Sequence, residues 1–279
     1  MSSLTITTVQ TALHWEDREA NLAMLEKKIS AVTDRMEIVV LPEMFSTGFT
    51  MQPERLAEPM DGPTVRWMKK MAAAKRIILT GSVVIEEGGN YYNRLLWVLP
   101  NGQLGHYDKR HRFAFAGEDK HYSHGHRRLI ASVNGWKINL QVCYDLRFPV
   151  WARQQMYLSE VNQPDIQVQP EPEYDILINV ANWPERRSHA WKTLLTARAI
   201  ENQCFVVGVN RVGKDGNDIY HSGDSMVIDP MGETLYHKSH DEELNTITLQ
   251  KSILNDIRSK LPFLKDGDHF SIHNADEHE

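Results

Sequence analysis

Two kinds of hydrophobic period alternate along this chain, and hairpin turns interrupt them in the same way in both halves. Residues 4–9 alternate with period two, Leu22, Leu25 and Ile29 share a helical face within 17–31, and residues 38–41 are a continuous apolar run. These patterns predict strand, helix and buried strand. A second helix is predicted over 61–74, with Pro63 near its start and Val65, Met68, Met71 and Ala72 on one face, followed by a strand over 77–85. Glu87-Gly88-Gly89-Asn90 and Pro100-Asn101-Gly102 then join this strand to strands over 92–99 and 103–107 as hairpins. The second half repeats the theme. Strands are predicted over 129–133, 137–142, 175–180 and 204–210, with a short helix near Val150 and a long one over 188–202. A hairpin turns at Asp229-Pro230-Met231-Gly232 between 225–228 and 234–237. The expected architecture is α/β: a four-layer α-β-β-α sandwich of two mixed sheets with outer helices, one domain over 1–279. Residues 154–172, polar and with three prolines, read as an inserted surface loop, and about 255–279 as a C-terminal tail.

Composition removes several functions. Lys and Arg number 31 against 37 Asp and Glu, a net charge of −6 with the signs interspersed. That leaves no electrostatic footprint for nucleic acid or an anionic membrane. No apolar run approaches the roughly 18 residues of a membrane span, and the amino terminus enters its first strand without a charged and apolar leader. A cytoplasmic protein with neither nucleic-acid nor membrane partners is expected. Cys143 and Cys204 are too few for a disulfide framework or a Cys-rich zinc site, and Cys204 opens an apolar strand as a core residue would. His121, His124 and His126 stand close together but lack a carboxylate or thiol partner at recognisable spacing, so no metal is expected. Gly88-Gly89 and the glycines at 213 and 216 are turn residues. No Gly-rich phosphate loop precedes a helix, and no cofactor is implied.

Polar residues stand at the ends of the apolar strands: Glu43 after 38–41, Lys109 after 105–107, Cys143 after 138–142, and Asn179 with Asn182 around Val180. In α/β sheets ligand chemistry gathers beyond the carboxyl ends of strands. A free thiol has a pKa of about 8.5 and needs a base or a cation to act as a nucleophile at neutral pH. A buried carboxylate can take that proton and return it to a leaving amine, and a fixed ammonium can hold a tetrahedral oxyanion. Cys, Glu and Lys therefore suffice for acyl transfer without histidine.

These stretches resemble the nitrilase superfamily of carbon-nitrogen hydrolases. The similarity is carried by Leu41-Pro42-Glu43-Met44-Phe45, Tyr107-Asp108-Lys109-Arg110-His111 and Val142-Cys143-Tyr144-Asp145-Leu146-Arg147-Phe148-Pro149, in the family's order and at fitting separations. It extends from Gln10, Trp15, Asp17 and Asn21 to Gly223-Asp224-Ser225, and Ala181-Asn182-Trp183-Pro184 is similar to the bacterial omega-amidase branch. That branch hydrolyses the terminal amide of α-keto acid amides such as 2-oxoglutaramate. The resemblance implies Cys143 as nucleophile, Glu43 as general base and acid, and Lys109 as oxyanion donor beside the backbone N–H of Tyr144. It further implies Glu118 as a second glutamate that places substrate and water, and a homodimer formed through outer helices. Removing one oxyanion donor costs roughly 3 kcal/mol of transition-state stabilisation, so Lys109→Ala is expected to damage turnover far more than folding.

A keto acid amide carries a carboxylate at its far end, for which Arg186 and Arg187 are candidates; Phe45, Phe113, Tyr144 and Trp183 are candidate apolar walls. Two alternatives stay open: an amidase for another amide, carbamoyl or nitrile substrate, and a noncatalytic binding protein on the same fold. The chain departs from the branch in the length of 154–172 and in Leu264, where tryptophan is expected.

Overall fold

The computed structural model describes residues 2–157 and 170–273. The core of the expected 154–172 loop and the last six residues of the expected tail lie outside the described residues.

The first five strands are β1 (Ser3–Gln10), β2 (Ile38–Val40), β3 (Ile78–Glu87), β4 (Asn90–Val98) and β5 (Leu104–Asp108), side by side in chain order. Strands β1 to β3 are parallel, and β4 and β5 follow as antiparallel hairpins. The second half supplies β6 (Ile130–Val133), β7 (Trp136–Val142), β8 (Met156–Tyr157), β9 (Glu171–Pro172), β10 (Ile176–Ala181), β11 (Phe205–Asn210), β12 (Val212–Lys214), β13 (Tyr220–Ile228) and β14 (Thr234–Ser239). Of these, β7, β10 and β11 run parallel at the centre of a sheet ordered β12-β13-β11-β10-β7-β6, with β14 beside β13. A last strand, β15 (Glu243–Gln250), returns to the first sheet and pairs antiparallel with the whole of β1, from Ser3 opposite Gln250 to Gln10 opposite Glu243.

Strand alternation decides which side chains meet. Leu4, Ile6, Ile38, Val40, Leu95 and Trp97 leave one face of the first sheet and pack in a single cluster with Trp136, Ile138, Leu140 and Val142 of the second. The opposite face of the first sheet presents Val39, Leu41, Leu79 and Leu96 to two helices, α1 (Arg18–Ala31) and, after the short α2 (Pro53–Leu56), α3 (Pro63–Lys75). After the single turns α4 (Glu118–His121) and α5 (Pro149–Ala152), α6 (Ser188–Asn202) covers the second sheet from outside. There a Cβ on Gly208 of β11 would stand 2.5 Å from Leu195 and 2.9 Å from Trp191, so glycine sets how closely α6 sits. Helix, sheet, sheet, helix is the four-layer sandwich that the pattern predicts, closed by α7 (Lys251–Lys260). Among the described residues no helix is long and apolar enough to cross a membrane.

Three details differ from expectation. Asp17 caps α1 rather than opening it, its carboxylate accepting the Ala20 N–H at 3.0 Å. The described flanks of the 154–172 segment are structured: β8 pairs with β9, and Gln154 is buried, accepting the Tyr174 N–H at 3.0 Å through its side chain. Residues 251–260 form a helix whose Leu254 is buried, so the expected tail begins inside a packed element.

Candidate active site

The carboxyl ends of β2, β5, β7 and β10 come together at one end of the sandwich, and each delivers one polar group. Glu43 and Cys143 sit in turns that leave their strands through left-handed backbone, at Met44 (φ 42°) and at Cys143 itself (φ 44°). A non-glycine residue held there is strained, and such strain persists only where the surroundings over-determine it. Asp145 supplies much of that determination. Its carboxylate accepts the Val142 N–H at 3.1 Å, the Tyr107 hydroxyl at 2.7 Å and the His111 N–H at 2.9 Å, with His111 Nδ1 at 2.8 Å. Trp151 donates to the Tyr107 hydroxyl at 2.9 Å, and His111 stacks on Phe148 at 3.7 Å. The strand end carrying Lys109 is thereby tied to the turn carrying Cys143. Asp145→Ala orphans these buried donors, and a loss of about 3 kcal/mol is expected. An unchanged urea midpoint would show that the network does not hold the turn.

Lys109 lies between two carboxylates. Its Nζ is 2.9 Å from Glu43 Oε1 and 3.0 and 2.8 Å from the two oxygens of Glu118, all three side chains being at most 1% exposed. Asn93 Nδ2 donates to Glu43 at 2.8 Å and to Glu118 at 3.2 Å, bridging the pair. Asn182 fixes Glu43 from the other side, its N–H donating to Oε2 at 2.8 Å and its Nδ2 to the Glu43 carbonyl at 2.6 Å. Glu118 also receives the Phe113 N–H at 2.5 Å.

The charges follow from this packing. Burial alone would push the Lys109 ammonium down, but Glu118 and Glu43 more than reverse it, so Lys109 holds its proton firmly. Burial, and then Glu43, pushes Glu118 up against the pull of Lys109. Burial also pushes the Cys143 thiol well above its ordinary range; the Glu43 charge adds to this, and Lys109 opposes it. The sulfur is therefore a protonated thiol at neutral pH, within the field of Glu43 and Lys109.

Above Cys143 opens a cavity of about 360 Å³, walled by Phe49, Met51, Phe113, Tyr144, Trp183 and Pro184. Arg147, Arg186 and Arg187 also reach it. The structure thus brings together Glu43, Lys109, Cys143 and Glu118, and puts Phe113, Tyr144, Trp183, Arg186 and Arg187 on the cavity. Phe45 is a correction: fully buried, it packs against Trp67 at 6.0 Å on the helix side of the first sheet and does not line the cavity. Its place is taken by Phe49 and Met51, further along the same loop. Asn179 also fails to converge. It pairs with Gly208, whose side faces α6, so strand alternation turns it to the outer face of the second sheet. Asn93, Asp145 and Arg147 carry no local sequence signal of a site role; residue type alone does not separate an asparagine inside a hairpin strand from a structural one.

A thiol, a carboxylate and an ammonium beneath a cavity with aromatic walls equip a cysteine-dependent acyl-transfer enzyme. Residues 5–258 match the carbon-nitrogen hydrolase family, and the chain belongs to it. The chain is 41% identical over 273 residues to the omega-amidase YafV of Escherichia coli K12, covering 98% of this chain and 100% of that one. It is 30% identical over 267 residues to the 2-oxoglutaramate amidase of Bacillus subtilis, covering 94% and 96%. The crystal structure of XC1258 from Xanthomonas campestris, a CN-hydrolase superfamily protein with an arsenic adduct in its active site, superimposes with a TM-score of 0.91 at 42% identity, over 98% of this chain and 100% of that one.

Proposed function

We propose that the protein is an omega-amidase that hydrolyses the terminal amide of a small α-keto acid amide, of the 2-oxoglutaramate type, to the acid and ammonia. The observation that carries this reading is the placement of Glu43. One oxygen is held by Lys109 and Asn93 and the other by the Asn182 N–H, so the carboxylate is immobile where it faces the thiol.

Cys143 attacks the amide carbon as its proton passes to Glu43. Lys109, with the backbone N–H of Tyr144, holds the oxyanion. In the resting site Lys109 spends its donors on Glu43 and on both oxygens of Glu118. Giving up one of the two Glu118 contacts frees an N–H for the oxyanion without breaking either ion pair. Glu43 returns the proton to the departing ammonia and leaves a thioester. It then takes a proton from water, which attacks the thioester carbon; sulfur leaves, recovers the proton, and the acid departs. Glu118 orients substrate and water. Nucleophile, base and oxyanion donors all come from the chain itself, so the cycle calls on no cofactor.

The same reading makes the protein a cytoplasmic homodimer with a small-molecule amide as its partner and no nucleic-acid or membrane partner. Val150 on α5 and Ile200 on α6, 56% and 53% exposed, support association through outer helices.

The test combines rate and mass. Ammonia release is expected from 2-oxoglutaramate, and intact mass after rapid quench should rise by an acyl group on Cys143. Turnover of nitriles or carbamoyl compounds with none of keto acid amides would replace the substrate assignment. Turnover without an adduct, under a quench that a thioester survives, would remove the covalent step.

A further inference from the structure

The cavity has a second chemical end, built from arginines. Arg147 follows the nucleophile by four residues, in the 3-10 turn Cys143–Arg147, and lays its guanidinium over Trp183 with Cζ 5.0 Å from the ring centroid. Arg187 lays its own over Phe113, at 5.1 Å. Both rings belong to the cavity wall. The two perches are joined: Trp183, which carries Arg147, donates its indole N–H at 2.8 Å to the carbonyl of Arg187. A guanidinium stacked on a ring keeps its N–H edge free for an in-plane, two-pronged contact with a carboxylate.

Neither arginine has a carboxylate partner among the described residues, and Arg187 lies close enough to Arg186 and Arg147 for like charges to be felt. Burial, then Arg186 and also Arg147, pushes Arg187 below the ordinary guanidinium range. Repulsion of this kind is relieved by an anion. The rest of the lining does not supply one to this cluster. Asp215, the acid among the lining residues, accepts the Asn217 and Ile219 N–H groups of its own turn at 2.8 and 3.0 Å. Its charge acts on Arg211 and His221 rather than on Arg187. His221 remains neutral at physiological pH, pushed down to about 4 by burial and by Arg211.

We propose that Arg147 and Arg187 together bind the α-keto carboxylate end of the substrate and, through their unbalanced charge, exclude the α-ammonium of the corresponding amino acid amide. Arg186, exposed on the rim, draws anions in without selecting among them. The planar α-keto carboxylate offers neighbouring oxygens to the two forks. An ammonium on the same carbon would place a cation against two unpaired cations, a repulsive element of the sort that specificity needs. This inference rests on the amidase reading and specifies the end of the substrate remote from Cys143.

Three compounds that differ only at carbon 2 test it: 2-oxoglutaramate (ketone), L-glutamine (ammonium) and glutaramate (methylene), each assayed for ammonia. Wild-type kcat/KM should be highest for 2-oxoglutaramate, lower for glutaramate and lowest for L-glutamine. Arg147→Met and Arg187→Met should each lower kcat/KM for 2-oxoglutaramate about a hundredfold, mainly through KM, and narrow its advantage over glutamine by about tenfold or more. Should either Met variant melt well below wild type, Arg147→Lys and Arg187→Lys decide: they keep the charge and lose the fork, so 2-oxoglutaramate should suffer while glutamine stays excluded. An advantage over glutamine that survives all four substitutions overturns the proposal, as does a wild type that uses the three compounds equally. Wild-type protein that hydrolyses other amides but none of the three removes the substrate assignment itself, and the arginine role with it.

Discussion

Glu43→Gln is expected to separate ionisation of the nucleophile from turnover. The substitution removes a negative charge beside Cys143 and leaves the Lys109 ammonium in place. The thiol, held high by burial and then by Glu43, should therefore ionise at lower pH than in the wild type. Iodoacetamide labelling of Cys143 should begin at lower pH accordingly. Turnover should nevertheless fall by about 10³-fold, because no group remains to take the proton or to deliver it to ammonia. The amide brings a second penalty. Both oxygens of Glu43 accept hydrogen bonds, from Lys109 and Asn93 on one side and from the Asn182 N–H on the other. Glutamine must turn an NH2 group toward one set of donors, so a lower melting temperature is expected as well. A variant within tenfold of wild-type turnover would dismiss Glu43 as the proton carrier, and labelling displaced to higher pH would contradict the charge argument.

Lys109→Met should cost folding as well as catalysis. Read from sequence, lysine in this role predicts a loss of turnover with little effect on folding; its burial between two carboxylates changes that. Without the ammonium, Glu43 and Glu118 are fully buried, share the Asn93 amide and face each other unpaired. Breaking a buried ion pair by deleting one partner destabilises by about 3–5 kcal/mol. The deficit should depend on pH in a definite sense. Glu118 is already raised in the presence of Lys109, by burial first and then by Glu43. Removing the cation raises Glu118 further, so the folded variant binds a proton that the unfolded chain has released. Stability is then retained below the unfolded carboxylate pKa and lost as pH rises through the folded values. The gap in urea midpoint between variant and wild type should be small at pH 5 and large at pH 8. A gap that is constant, or that widens toward acid, would sink this account. Turnover should fall by about 10²–10³-fold from the lost oxyanion donor alone.

The parts of the fold that could be read in advance were those where one local signal dominates. Helix α6 spans Ser188–Asn202 as its pattern predicts, because it ends where Gln203 takes up a left-handed cap. The hairpin at Gly88-Gly89 is legible because both glycines adopt positive φ. Strand β15 is not legible: its apolar residues at 244, 247 and 249 break the period of two, and its pairing with β1 is determined by a partner more than 230 residues away. At the site, Glu43, Lys109 and Cys143 could be read because each follows the end of a strand, and strand ends fix position. Side chains on loops could not be assigned so closely. Phe45 turns into the helix-side core, where Gly81 makes room for it: a Cβ there would stand 2.8 Å from the ring. Asn182, just past its strand, reaches Glu43, while Asn179, inside the strand, obeys alternation and faces away. Asn93 and Asp145 act only through partners that the fold assembles, so no local pattern announces them.

The pairing of β1 with β15 also bears on how the chain is made. One edge of β1 is satisfied by β2, close to it in the chain, but the other has no strand until β15 has been made. Until then a threonine-rich strand with free N–H and C=O groups stands open, the kind of edge that recruits other strands. The nascent protein is therefore open to aggregation until β15 has emerged and completed its first sheet.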